Sequence, residues 1–144
     1  INLKATFVAF FCIYSTLNAS LELQKVTLGK TSFQVEVADK PELWQKGLMN
    51  RAFLPKHRGM LFKFKEDAIH RFWMKNTLIS LDMLWINHKN KIVYIKKEAQ
   101  PLDETSIEPT EKARYVLEIR GGLAEEYNIN IGDEALFVPT LNKH

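Results

Sequence analysis

Seven short stretches of this chain set apolar against polar side chains with a period of two. That pattern limits the fold more than any other feature. Phe33, Val35 and Val37 alternate with Gln34 and Glu36, and Met60, Phe62 and Phe64 alternate with Leu61, Lys63 and Lys65. Further runs lie at 71–77, 81–87, 92–94, 114–119 and 134–138. Successive strand residues point to opposite faces, so each run predicts a strand with one face buried. The runs at 71–77 and 81–87 are apolar on both faces in places, which predicts central strands. Only two stretches predict helices. Asp39 and Glu42 make a capping pair around Pro41, with Gly47 as the stop. The segment GGLAEEYNI (121–129) predicts a second short helix. The expected fold is mainly β with a minor α+β character: an antiparallel β-sandwich or partly closed barrel carrying two short helices. Residues 98–112 show no periodicity and predict a long loop of the kind that serves as a lid or binding segment.

The first nineteen residues predict an address instead of a fold. Lys4 precedes an apolar run from Ala5 to Ile13, and Ser15, Thr16, Asn18 and Ala19 close the segment. A positive start, a short apolar centre and a small-residue exit describe a secretory signal peptide, with cleavage after Ala19. The run covers about half of a bilayer core at ~1.5 Å per residue, too short to span it. Residues 20–144 are then one exported domain, with its core at about 33–138, and membrane contact is expected only if the signal segment stays uncleaved. The expected location is extracytoplasmic, periplasmic or secreted. The single cysteine, Cys12, belongs to the signal segment, so the mature domain has neither a disulfide nor a thiol nucleophile.

The formal charge of +3 is too small to imply a nucleic-acid partner, and it conceals a polarity. Residues 51–97 hold eleven Lys/Arg against three Asp/Glu, whereas 98–134 hold ten acids against three bases. Cross-strand ion pairing is the plain consequence. A basic site covered by an acidic loop is the functional alternative.

The stretch FWMKNTLISLD (72–82) concentrates the polar chemistry. A lysine, an amide and a hydroxyl among large apolar residues must find partners if they are buried. On a strand, Trp73, Lys75 and Thr77 share one face, and Asp82 is positioned to meet Lys75 across a hairpin. With GLMNR (47–51), GMLFKF (59–64), FWMKNTLISLDMLWI (72–86), ARYVLEIRGG (113–122) and NIGD (130–133), the chain resembles domain of unknown function family 192 (DUF 192). The blocks follow the family's order across about 33–138. The resemblance implies a small, often exported, mainly β single domain and supplies no established reaction. Ser80 stands where the family often has proline. Carried over, the family's polar positions are Arg51, Lys75, Asn76, Thr77, Asp82 and Glu118, the expected lining of any common pocket.

These residues support three readings. The first is a binding or accessory module for a small polar or anionic ligand, since Arg51, Lys75 and Asn76 are donors suited to a carboxylate, phosphate or acidic sugar. The second is an enzyme with Lys75 and Asp82 as a coupled acid–base pair. The third is a purely structural or interaction domain whose polar residues specify the fold. The four histidines show no metal-ligand spacing, and no phosphate loop or nucleophile elbow is present, so neither a metal nor another cofactor is expected.

Overall fold

The structure, a computed structural model, describes residues 22–138, so the expected signal segment lies outside the described residues. These residues form strands β1 (Leu23–Leu28) and β2 (Thr31–Ala38), helix α1 (Pro41–Lys46), and strands β3 (Arg58–Ala68), β4 (Leu81–Ile86), β5 (Ile92–Ala99) and β6 (Ala113–Arg120). Helix α2 (Leu123–Glu126) and strand β7 (Ala135–Val138) complete them. All seven strands join one sheet in the order β5-β4-β6-β3-β2-β1-β7. Every pair is antiparallel except β2 with β3, which run parallel because α1 and its flanking loops carry the chain across. The sheet curls until its two ends meet. Ile92 N–H donates to the Asp133 carbonyl at 2.9 Å and Ala135 N–H to that of Asn90 at 2.8 Å. The result is the partly closed barrel and not the two-sheet sandwich.

Each face of the sheet has its own core. On one, Val26, Phe33, Leu61, Leu84, Ile86, Leu117 and Ile119 pack with Leu123, Ala124 and Ile129. On the other, Met60, Phe62, Met83, Trp85 and Val116 pack with Leu48, Leu54 and Met74 from loops, and with Trp44 of α1. Because both faces are covered, β4 and β6 are nearly continuous apolar runs, and all six residues of β4 are buried.

The structure departs from the sequence reading at three places. Strand β1 precedes the expected core and joins β2 through a tight turn at Gly29, whose φ of 60° is left-handed. Helix α1 starts from Lys40, with no side-chain cap from Asp39. Residues 71–77 are not a central strand. Phe72 makes an isolated bridge to Ile107, Met74 N–H donates to the Asp103 carbonyl at 2.8 Å, and Leu102 N–H donates to the Thr77 carbonyl at 3.0 Å. The acidic 98–112 segment is therefore strapped onto the WMKNT segment. Five ion pairs join the basic and acidic regions: Lys56–Glu126, Arg71–Glu108, Lys75–Glu104, Lys91–Glu134 and Lys97–Glu125. The polarity is thus largely satisfied within the chain.

Asp82 holds this architecture together from inside β4. It is fully buried, and Oδ1 accepts hydrogen bonds from Glu98 N–H at 2.7 Å and Gly122 N–H at 3.1 Å. Oδ2 accepts from Ala124 N–H at 2.8 Å. Gly122, at the start of α2, offers no side-chain cap, so Asp82 caps the helix from another strand. Replacing it orphans three backbone donors, and hydrogen bonds to a charged group contribute about 1.5–3 kcal/mol each. Asp82→Ala is expected to lower unfolding free energy by roughly 3–5 kcal/mol in urea denaturation. A loss below ~1 kcal/mol would show that Asp82 is not the clamp.

Candidate functional site

Among the described residues, three polar side chains are buried: Thr77, Asp82 and Glu118. Asp82 is satisfied. Glu118 is not. It lies in the middle of β6, paired in register with Met60 of β3 and Met83 of β4, so thioethers flank it on both sides. No hydrogen bond to its carboxyl group is seen among the described residues. The residue is 4% exposed and its oxygens keep a small contact with solvent, whereas Gln24 Oε1 is the fully buried side-chain oxygen without a partner among the described residues. Burial alone pushes its pKa up to about 8, because an apolar surrounding disfavours the charged form. Near neutral pH this side chain is chiefly an uncharged acid, able to donate as well as accept. Gly59 lets β3 lie close here: a β-carbon at that position would sit 2.5 Å from the Glu118 carbonyl oxygen.

Glu118 lines a cavity of about 40 Å³ together with Thr77, Gly47, Leu48, Phe62, Phe72 and Trp73. By volume this holds a few waters or one small substituent. The walls are closely packed. Phe72 packs edge-to-face on Phe62 and Trp85, with centroids 5.0 and 5.6 Å apart. Trp44 Nε1–H donates to the Ala38 carbonyl at 2.9 Å, fixing α1 over the sheet. Gly47 ends α1 at φ 47°, and a β-carbon there would approach Phe62 at 3.3 Å.

Outside this cavity lies an open cleft of about 460 Å³ lined by Glu42, Gln45, Lys46, Met49, Trp73, Lys75 and Asn76. Gln45, Lys46, Met49 and Trp73 border both spaces, so the cleft stands directly over the cavity. Trp73 is 46% exposed, and the Lys75 ammonium stands 5.0 Å from its ring centroid. Asn76 turns the chain at φ 52°, and its carbonyl accepts Asn50 N–H at 2.8 Å, tying the GLMNR and WMKNT segments together. The Thr77 hydroxyl donates to the Lys75 carbonyl at 3.1 Å.

Four of the six sequence-derived candidates therefore converge. Lys75 and Asn76 line the cleft, and Thr77 and Glu118 line the cavity beneath it. The other two lie elsewhere. The Arg51 guanidinium forms a two-point ion pair with Glu36. Asp82 faces the opposite core and binds backbone donors, so Lys75 does not meet it; the ammonium instead stands 4.0 Å from Glu104. The expected Lys75–Asp82 acid–base pair does not exist. Its premise was a strand at 71–77, and that segment is a turn held by a loop.

The blocks that converge on this cleft also carry the chain's kinship. A family model described as DUF192, Uncharacterized ACR, matches residues 24–137. The chain belongs to the DUF192 family. Among solved structures, this DUF192 chain is similar to a protein of unknown function from Novosphingobium aromaticivorans DSM 12444, with TM-score 0.79 and 33% identity over 83% of this chain and 89% of that one. It is equally similar to a protein from Sinorhizobium meliloti 1021 named as a candidate transcription regulator, with TM-score 0.79 and 34% identity over 82% and 95% of the two chains. Among curated proteins, no relative matches.

Sequence reasoning did not single out Gln45 and Lys46, which line this cleft of the DUF192 domain, and it set Trp73 beside Lys75 only as a strand neighbour. The first two sit on a short helix, where nothing in the local pattern marks a binding face. Glu118 has a testable signature. An unfolded glutamate titrates near ~4.3, whereas this one titrates at about 8 when folded, so between those values the folded state holds a proton that the unfolded state has lost. Stability must therefore fall as pH rises through that window, by at most about 1.4 kcal/mol per unit. Asp103, Glu108 and Glu125 are lowered by hydrogen bonds from Thr105, Arg71 and Lys97 and act only at more acid pH. Urea denaturation from about pH 5 to about pH 8 is expected to show the decline in wild type and its loss in Glu118→Gln. Equal slopes in the two proteins would refute a buried, proton-holding Glu118.

Proposed function

We propose that this domain is a binding module for a small polar or anionic ligand, seated in the cleft between α1 and residues 72–77. One observation carries the reading: Glu118, 4% exposed and with no hydrogen bond to its carboxyl group seen among the described residues, lines a small cavity that shares four residues with that cleft. A carboxyl group set among apolar walls gains from a ligand hydrogen bond, because the protein supplies it none. The rim adds recognition of a familiar kind, an exposed indole face beside ammonium and amide donors. Lys46 and Lys75 make the rim attractive to anions. We further propose that the module works outside the cytoplasm, on the strength of the signal-like segment at 1–19.

A thermal-shift screen of small carboxylates, phosphates, neutral sugars and amines tests the reading. A ligand that raises Tm in wild type is expected to bind Trp73→Ala at least tenfold more weakly, about 1.4 kcal/mol of binding energy. Lys75→Ala is expected to weaken anionic ligands without unfolding the protein, because its half-buried side chain carries one loose ion pair, with Glu104 at 4.0 Å. A screen in which no compound shifts wild-type Tm would sink the proposal.

A further inference from the structure

The cleft and the cavity differ in charge, and the difference constrains what can occupy them. The charged groups facing Glu118 can be named element by element. Helix α1 contributes Lys46 to the same cavity, and strands β3 and β4 contribute the neutral Met60 and Met83. The 72–77 segment contributes Trp73 and Thr77 to the cavity and Lys75 to the cleft above, where Glu42 is the acid of the lining and Glu104 of the strapped segment stands 4.0 Å from the Lys75 ammonium. A cationic ligand would thus pass two ammonium groups to reach a carboxyl group that its apolar walls keep uncharged. An anionic ligand meets the ammonium groups first and then an acid proton. The cavity admits one small planar group, and the cleft of about 460 Å³ leaves the remainder of a ligand against the Trp73 ring.

On these grounds we infer that Glu118 is the specificity-determining residue of the site, donating its carboxyl proton to a carboxylate oxygen of the ligand while Lys46 and Lys75 neutralise the charge. This rests on the cleft reading above and narrows it to carboxylates carried on a ring or chain broad enough to cover an indole. The proton stays on Glu118, and no bond is made or broken. Binding then requires the protonated acid, so affinity declines once pH exceeds the side chain's folded pKa of about 8.

Glucuronate, glucose and glucosamine are suitable probes, because they share a ring and differ in charge. By isothermal titration, glucuronate is expected to bind wild type at about pH 6 and about tenfold more weakly at about pH 9, with glucose weaker than glucuronate at the lower pH. Glu118→Gln keeps a donor and cannot ionise, so its glucuronate affinity is expected to differ less than twofold between the two conditions. Lys46→Gln is expected to weaken binding by a similar factor at both, which separates lysine titration from that of Glu118. Four results would overturn the inference: glucuronate binding indifferent to pH in wild type, a pH dependence that persists in Glu118→Gln, glucosamine binding that tightens as pH rises, or no saturable binding of glucuronate. The first three leave the cleft standing as a binding site. The cleft reading itself falls only if the broader screen is also silent.

Discussion

The carboxylate of Asp82 is the point on which the rest of this fold depends. It gathers three backbone donors from two separate parts of the chain: Glu98 at the end of β5, and Gly122 and Ala124 at the start of α2. Each would otherwise be an amide without a partner at the edge of a core. The fixed start of α2 places Leu123, Ala124 and Ile129 over one face of the sheet. From there the chain reaches β7, whose bonds to the β5 region close the curl. A helix of four residues has too few internal bonds to form without such help. The order of dependence runs from one side chain to a cap, from the cap to a lid, and from the lid to closure.

Glu118 shows what the same chemistry becomes without donors. Asp82 pairs in register with Ile119, and Met83 with Glu118, so the two acids lie one step apart on neighbouring strands and point to opposite faces. Asp82 meets the amides of a helix start. Glu118 meets two methionines and an aromatic wall, and its pKa rises to about 8. Residue type and depth are nearly the same in both. What differs is whether backbone N–H groups end at that face, and this separates a clamp with filled acceptors from a carboxyl group set against apolar walls.

This contrast also explains how much of the molecule was legible in its sequence. The alternating runs at 33–37, 60–65, 81–87 and 114–119 became strands because their period matches the pleat and both faces have a core to fill. The stretch 71–77 carries the same alternation and is not a strand of the sheet. Asn76 adopts a left-handed φ, and the partners of Phe72 and Met74, Ile107 and Asp103, lie in a distant loop, which no local pattern specifies. Strand β1 has only Val26 and Leu28 fully buried, a signal too thin to stand apart from the neighbouring polar residues. The site followed the same rule. Thr77 stood out as a polar residue within apolar surroundings, Glu118 came only with the family resemblance, and both are buried. The pairing of Lys75 with Asp82 required knowing which face each would take.

The charge polarity sharpens the division of labour between electrostatics and the backbone. Exposed ion pairs contribute at most about 1 kcal/mol each, so Arg71–Glu108 and Lys75–Glu104 do not by themselves hold the acidic segment in place. The strap is held by main-chain hydrogen bonds at Phe72, Met74 and Thr77 and by Ile107 against the aromatic core. In the register those bonds set, Glu108 meets Arg71 and Glu104 approaches Lys75. The same arrangement spares the other side of the WMKNT turn. With the acidic segment occupied on one flank, Trp73 and Lys75 remain open on the flank that faces α1, directly above Glu118. The acidic segment thus lies along one rim of the cleft, bonded to it through the main chain.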